Sequence, residues 1–139
     1  MNKTKKISNN TLGVIIGLVI SIWWIIMGLD IGFQFVASDK ISYILTLGEQ
    51  RHTIITILAL ILIPICAREN KWGFLSAMIL GIFTFILSVI HIIYMFAATP
   101  TGYESQIFGP IIWSIFQIPI IIFSYKARKE YVKLYKSND

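Results

Sequence analysis

The chain has 139 residues, of which 56% are hydrophobic and 14% are charged, and its formal net charge is +5. Soluble globular domains carry about 25% charged residues, and a domain this small could not bury so much apolar surface. The composition therefore excludes an ordinary soluble domain and predicts a polytopic membrane protein. Because Cys66 is the only cysteine, an internal disulfide, a CxxC redox pair and a thiolate-rich metal site are excluded as well.

Four apolar stretches are long enough to cross a lipid bilayer, which takes about 20 helical residues. They cover residues 11–36, 50–67, 72–97 and 106–125. The second is near the short limit, and the first and third are long enough to tilt or protrude. The prediction is an all-α antiparallel bundle of four transmembrane helices, forming one domain over residues 1–139 with a basic cytoplasmic tail at 126–139.

The segments that separate these stretches contain polar and turn-forming residues. Arg68 to Lys71 form a tight polar turn, and Pro100 and Gly102 mark a second one. The segment between the first two stretches is half apolar and could contain a short surface helix at 41–47. The first stretch follows a basic head, but its apolar core is much longer than the about 7–15 residues of a signal peptide. We therefore expect it to be retained as a transmembrane helix.

The basic residues predict the orientation of the chain in the membrane. Ten of the twelve lie in the N-terminal segment, the turn at 68–71 or the C-terminal segment, and only Lys40 and Arg51 lie elsewhere. Cytoplasmic segments carry this excess of Lys and Arg, so both termini are expected to be cytoplasmic, in a multi-pass protein of the plasma membrane. An even number of transmembrane helices requires both termini on one side, which agrees.

Small and polar residues follow a helical repeat in three of the stretches. In the third stretch they predict one narrow face that ends at His91, and in the fourth Pro110, Ser114, Gln117 and Ser124 share a face. In the first, Gly13, Gly17 and Ser21 form a small-xxx-small face. Such residues mark helix–helix contacts because they let backbones approach closely. The predicted packing residues are Gly13, Gly17, Ser21, Ala77, Gly81 and Thr84.

Two ionisable residues lie inside the apolar stretches, at matching depth. Asp30 and His91 are each about 10 Å outward of the middle of their helices, given a rise of 1.5 Å per residue. Isolated charges at such depth usually face the bundle interior and pair, so we expect these two side chains to approach each other directly or through water. The predicted intramembrane polar cluster contains Asp30, Gln34, Ser88, His91 and Gln117. It has two interpretations, a pair that only orients helices or a working site. Asp30 lies opposite the glycine face, so both faces of the first helix would need protein neighbours.

Cofactor, metal and catalytic sites have little support in the sequence. His52 and His91 differ in depth by about one and a half helical turns, which disfavours axial haem ligation. Asp30, His52 and His91 are a conceivable metal-ligand set, but without a recognisable ligand spacing. Ser88 and His91 resemble a hydrolase dyad, although a serine in a helix more often bonds its own backbone. We expect no cofactor, no metal and no enzymatic activity.

Two functions stay open. The first is a non-catalytic accessory or regulatory subunit of a membrane complex, which contacts other membrane proteins or copies of itself laterally and binds no nucleic acid. The glycine face and the basic tail are the expected contact surfaces. The second is a proton- or cation-coupled transporter or channel that uses Asp30 and His91. The basic tail is either a lipid- or partner-binding segment or a frayed end that only sets the topology. Its basic residues are Lys126, Arg128, Lys129, Lys133 and Lys136.

Overall fold

A computed structural model describes residues 7–33, 42–98 and 108–136 of the chain. Four helices account for nearly all of them: α1 (Asn9–Phe33), α2 (Ser42–Ala67), α3 (Lys71–Ala98) and α4 (Phe108–Lys136). The prediction of an all-helical fold with four helices is confirmed. Three helices contain segments long and apolar enough to cross a membrane, Asn9–Ile26, Lys71–Ile93 and Ile111–Leu134, and α2 contributes a shorter apolar segment, Ile54–Ala67.

Two helices are longer than the apolar stretches that predicted them. α2 begins at Ser42, so the expected surface helix at 41–47 is, from residue 42 onward, the first part of α2. α4 continues beyond residue 125 to Lys136, so the basic segment 126–136 is helical and not a frayed end. The reason is local: Ala, Arg, Lys and Glu are good helix formers, and no glycine or proline occurs between residues 125 and 136.

The helices form a ring in which each packs on its neighbours in the chain and α4 closes back on α1. The most extensive packing joins α3 to α4, followed by α1 to α4, and the least extensive joins α2 to α3. Gly17 of α1 lies against Ile120, and Gly13, one turn earlier, lies against Phe123. Because residue numbers rise along one helix as they fall along the other, α1 and α4 are antiparallel.

The N-terminus of α1, the α2–α3 turn and the C-terminal part of α4 meet at one end of the bundle. The backbone N–H of Ser8 donates to the Glu69 carboxylate at 3.1 Å, and the Asn10 side-chain amide donates to the Glu130 carboxylate. Ser8 also caps α1 by accepting the N–H of Thr11 at 3.1 Å. These contacts connect three separate segments of the chain at what we call the basic end.

Glu69 closes the α2–α3 turn in a left-handed backbone conformation. Its φ angle is 52°, and its N–H donates to the Cys66 carbonyl at 2.8 Å. Asn70 then caps the N-terminus of α3, with its side chain accepting the N–H of Trp72 at 2.8 Å. For a non-glycine residue this conformation is less stable by about 1–2 kcal/mol. The hydrogen bond between the Glu69 carboxylate and Ser8 offsets that cost.

Replacing Glu69 by glycine or by alanine separates these two contributions. Both variants lose the carboxylate, but only glycine relieves the left-handed strain, so we expect Glu69→Gly to be more stable than Glu69→Ala by about 1 kcal/mol. Denaturation of the two purified variants in mixed micelles measures this difference. An alanine variant as stable as the glycine variant would contradict the account of the turn.

The outward faces of the helices are apolar. Only 33% of the Asn9–Ile26 segment and 39% of the Lys71–Ile93 segment is buried within the protein. Large apolar side chains occupy much of the remainder, such as Trp23 at 59% and Ile93 at 64% exposure. Apolar patches of this extent are not stable against water.

Candidate functional site: a polar core between three helices

Gln117 joins three helices at the middle of the bundle. Its side chain is 2% exposed. Its Oε1 accepts a hydrogen bond from Thr84 Oγ1 of α3 at 2.8 Å, and its Nε2 donates to Ser21 Oγ of α1 at 3.1 Å. Ser21 and Thr84 are equally enclosed, at 3% and 1% exposure. We call Ser21, Thr84 and Gln117 the polar core.

Gln117 and Thr84 also bond the backbone of their own helices. Gln117 Nε2 lies 3.4 Å from the carbonyl of Trp113, one turn earlier in α4. Thr84 Oγ1 lies 2.8 Å from the carbonyl of Leu80 and 3.0 Å from that of Gly81. A hydroxyl has one proton, so Thr84 shares it between these carbonyls and Gln117. Bonding to the preceding turn is usual for hydroxyl side chains in apolar helices.

Glycines bring the helices close enough for these bonds. A Cβ atom at Gly17 would lie 2.6 Å from Cγ1 of Ile120, and one at Gly81 would lie 2.9 Å from Cγ1 of Ile121. Both glycines lie within about one turn of the polar core on their own helices, Gly17 before Ser21 and Gly81 before Thr84. The edge-to-face pair of Trp24 and Phe116, with ring centroids 5.4 Å apart, packs next to it between α1 and α4.

The residues predicted to pack helices lie in the interior contacts. Gly13 and Gly17 face α4, Gly81 faces the same helix from α3, and Ala77 is fully buried. The glycine face of α1 is therefore filled by the protein's own fourth helix. It is not available to a partner protein, so any lateral contact must use another surface.

The predicted cluster around His91 falls only partly within the described structure. Ser88 is 3% exposed and donates to the Thr84 carbonyl at 2.8 Å, so its hydroxyl bonds its own helix. His91 is half-buried two turns beyond Thr84 and interacts with another residue. Gln34 and the side chains of Asp30 and His52 lie outside the described residues. The pairing of Asp30 with His91 stays a prediction, as does the metal-ligand set that includes His52.

The polar core has the chemistry of a structural contact. Hydroxyl and carboxamide groups do not titrate near neutral pH, so these three residues by themselves offer neither a general acid nor a general base. Among the described side chains, no three histidine, cysteine or carboxylate residues come together as metal ligands would. What the core supplies is a fixed register between α1, α3 and α4, because its hydrogen bonds form only when all three helices are correctly aligned.

Sequence patterns identified the three members but not their pairing. The sequence pattern places Gln117 in one intramembrane polar cluster with Asp30 and His91, whereas among the described residues it bonds Ser21 and Thr84. The position of these residues along their helices could have indicated the pairing, since Ser21 and Thr84 each lie near the middle of an apolar stretch. Helical periodicity assigns a residue to a face of its own helix, and it does not specify which residue of a neighbouring helix lies opposite.

Ser124 has a buried hydroxyl group that differs from those of the polar core in its hydrogen bonding. It is fully enclosed, and within the described residues its Oγ has no hydrogen-bond partner. A buried hydroxyl that lacks a partner costs about 1–3 kcal/mol. We expect Ser124→Ala to leave the free energy of unfolding unchanged or to raise it by up to about 1 kcal/mol.

Ser21→Ala is the matched control, because the same substitution there removes the bond from Gln117. The free energy of unfolding of that variant should fall by about 0.6 kcal/mol, the average for hydrogen bonds between membrane helices, and by at most about 1.7 kcal/mol. Unfolding of both variants in mixed micelles measures the contrast. A Ser124→Ala variant destabilised as much as Ser21→Ala would show that Ser124 has an essential partner.

Comparison with known proteins gives no family assignment for this fold and its polar core. No family model matches the chain, and no curated protein and no solved structure is significantly similar to it.

Proposed function

We propose that this chain is a small, non-catalytic integral membrane protein of the plasma membrane that acts as an accessory or regulatory subunit through lateral helix contacts. In this proposal all four helices cross the bilayer and both termini are cytoplasmic. The observation that carries it is the division of the described helices into an interior in which most polar side chains are hydrogen-bonded and an exterior that is largely apolar. Polar groups in lipid are satisfied inside the protein, and this arrangement meets that requirement.

The basic end supports the proposed orientation. Contacts from Ser8 to Glu69 and from Asn10 to Glu130 bring three segments together. These are the segments next to which ten of the twelve basic residues occur in the sequence. A bundle with most of its Lys and Arg at one end is expected to keep that end in the cytoplasm.

The non-catalytic role rests on what the polar core does. Both the oxygen and the nitrogen of the Gln117 carboxamide form hydrogen bonds to neighbouring helices. Ser88 and Thr84 donate hydrogen bonds to backbone carbonyls of α3. These groups are occupied in holding the bundle together. A small bundle whose buried polar groups are structural is suited to binding other proteins through its surface.

α2 is the helix best suited to such a partner. Its apolar segment Ile54–Ala67 is about 21 Å long at 1.5 Å per residue, short of the about 30 Å hydrocarbon core. A short apolar helix is accommodated by bilayer thinning or by association with other helices. α2 also packs less on the rest of the bundle than the other helices do. Its outward face, with Ile57 and Ile61 at 51% and 52% exposure, is the proposed contact surface.

A matched pair of tryptophan substitutions tests this proposal. Ile61 on α2 and Ile86 on α3 have nearly equal exposure, 52% and 51%, so Ile61→Trp and Ile86→Trp add the same bulk to different helices. Native mass spectrometry after affinity purification in mild detergent should show a stoichiometric complex larger than the 15.9 kDa chain for the wild type and for Ile86→Trp. Ile61→Trp should release a folded monomer.

Two results would overturn the proposal. One is a wild-type protein that purifies as a clean monomer without any co-purifying protein. The other is a complex that survives in both variants or is lost in both, because the contact would then not lie on α2. The alternative function is proton- or cation-coupled transport through Asp30 and His91. In that case, replacing either residue by Asn should abolish uptake into vesicles. A normal rate of uptake in both variants would exclude transport by these residues.

A further inference from the structure

The C-terminal part of α4, at the end of the Ile111–Leu134 segment, presents a cationic face. Five residues line a shallow groove of about 430 Å³ there: Tyr125, Arg128, Lys129, Val132 and Lys133. Their spacing of three and four residues places them on one side of the helix. Tyr125 is 56% exposed and lies at the apolar end of the groove. We call this surface the cationic groove.

The opposite side of the same helical segment is anchored to the bundle. Ala127 is 2% exposed, and Glu130 accepts a hydrogen bond from Asn10 of α1. Tyr131 is half-buried and lines a small pocket with Thr11 and Phe74. These contacts hold residues 127–131 against the bundle, so the cationic groove has a fixed orientation and is not part of a free tail.

Among the described residues, no acidic side chain neutralises the positive charge in the groove. Glu130 is the only acidic residue between positions 125 and 136, and its contact with Asn10 is on the anchored side. Within the part of the chain that the structure describes, Arg128, Lys129 and Lys133 form no ion pair. Three cations on one fixed face, with no counter-charge among the described residues, are suited to binding an external anion.

The position of the groove along α4 favours a lipid anion. α4 has 29 residues and is about 44 Å long at 1.5 Å per residue, which exceeds the about 30 Å hydrocarbon core. Its last turns therefore extend into the headgroup region in the proposed membrane arrangement. Tyrosine is a preferred residue at that boundary, and Val132 adds an apolar contact between the cations.

We propose that the cationic groove binds the phosphate headgroup of an anionic phospholipid from the leaflet into which α4 emerges. Arg128, Lys129 and Lys133 contact the phosphate, and Tyr125 and Val132 contact the glycerol and the first methylenes of the acyl chains. The proposal rests on membrane insertion but not on the accessory role. The lipid binds to a defined face of α4 and not to the net positive charge of the protein.

Two charge-matched double variants of the full chain test this site. Lys129→Gln with Lys133→Gln removes two charges from the groove. Arg68→Gln with Lys71→Gln removes two charges from the α2–α3 turn, at the same end of the bundle, where both residues are exposed. Binding is measured in mild detergent with phosphatidylglycerol and phosphatidylcholine labelled on an acyl chain, and with inorganic phosphate as a competitor.

The wild type should bind phosphatidylglycerol more tightly than phosphatidylcholine. A basic residue near an anionic surface contributes about a fivefold gain in affinity, so the groove variant should bind about 25-fold more weakly. The turn variant should stay within about twofold of the wild type, and millimolar inorganic phosphate should not compete.

Three results would overturn the proposal. Equal losses in the two double variants would indicate a diffuse effect of net charge. Equal binding of the two lipids would exclude headgroup recognition, and competition by inorganic phosphate would indicate a site for a soluble anion. A protein that binds neither lipid and does not insert into liposomes would refute membrane insertion itself, which separates failure of the proposed function from failure of this site.

Discussion

Replacing Gly17 by isoleucine is expected to disrupt the contact between α1 and α4. The new Cβ would lie 2.6 Å from Cγ1 of Ile120, well inside van der Waals contact, and isoleucine adds three further carbon atoms at this position. Overpacking of this kind typically costs about 1–3 kcal/mol. It outweighs the gain of about 0.5 kcal/mol in helix propensity when glycine is replaced. The free energy of unfolding, measured by denaturation in mixed micelles, should fall by more than 1 kcal/mol.

Gly109→Ala is the control for this experiment. Apart from its chain neighbours and the backbone of its own helix, no atom of the described residues lies within 4 Å of the Cβ position at Gly109, so alanine there should leave stability unchanged or raise it by about 0.5–1 kcal/mol. A Gly17→Ile variant as stable as the control would mean that α1 and α4 do not pack as closely as the structure indicates.

Replacing Gln117 by leucine is expected to loosen three helices at once. Leucine has a similar size but cannot hydrogen-bond, so the contacts to Thr84 and Ser21 are both lost. Hydrogen bonds between membrane helices contribute about 0.6 kcal/mol on average and up to about 1.7 kcal/mol. The expected loss in the free energy of unfolding is therefore about 1–3 kcal/mol.

A double-mutant cycle with Thr84→Val shows whether this loss belongs to the polar core. Valine keeps the shape of threonine and removes its hydroxyl, so the cycle isolates the Thr84–Gln117 pair. We expect a coupling energy of about 0.6–1.7 kcal/mol. Strictly additive effects would show that the two side chains do not interact, in spite of the 2.8 Å between their oxygen atoms.

The two proposals use different parts of the same molecule. The accessory role depends on the outward face of α2, whereas lipid binding depends on the last turns of α4. A lipid bound in the cationic groove would lie at the basic end, next to the contacts of α1 with Glu69 and Glu130. The two surfaces can therefore be tested independently with the Ile61 and Lys129/Lys133 variants.

Hydropathy is sufficient to predict the number of helices and their approximate positions, and helical periodicity marks the small and polar residues that share one face of a helix. This succeeds because an apolar helix must cover its backbone and its few polar side chains, and the spacing of small residues follows the helical repeat. The polar turn at 68–71 was also predictable, because charged residues interrupt the apolar pattern there. The start of α2 and the end of α4 differ from the prediction, since a helix can continue into a polar segment as long as no residue breaks it.

Only the tertiary structure decided which faces meet. The sequence marks Gly13 and Gly17 as a contact face, but the same pattern fits a partner protein and a helix of the same chain equally well. The structure assigns that face to α4, because Ile120 and Phe123 lie directly against it. It likewise pairs Gln117 with Ser21 and Thr84, since hydrogen bonds between helices depend on their relative height and rotation, which no single helix encodes. The sequence by itself determined an apolar four-helix chain with a basic end, and packing decided which of its surfaces are occupied and which are free.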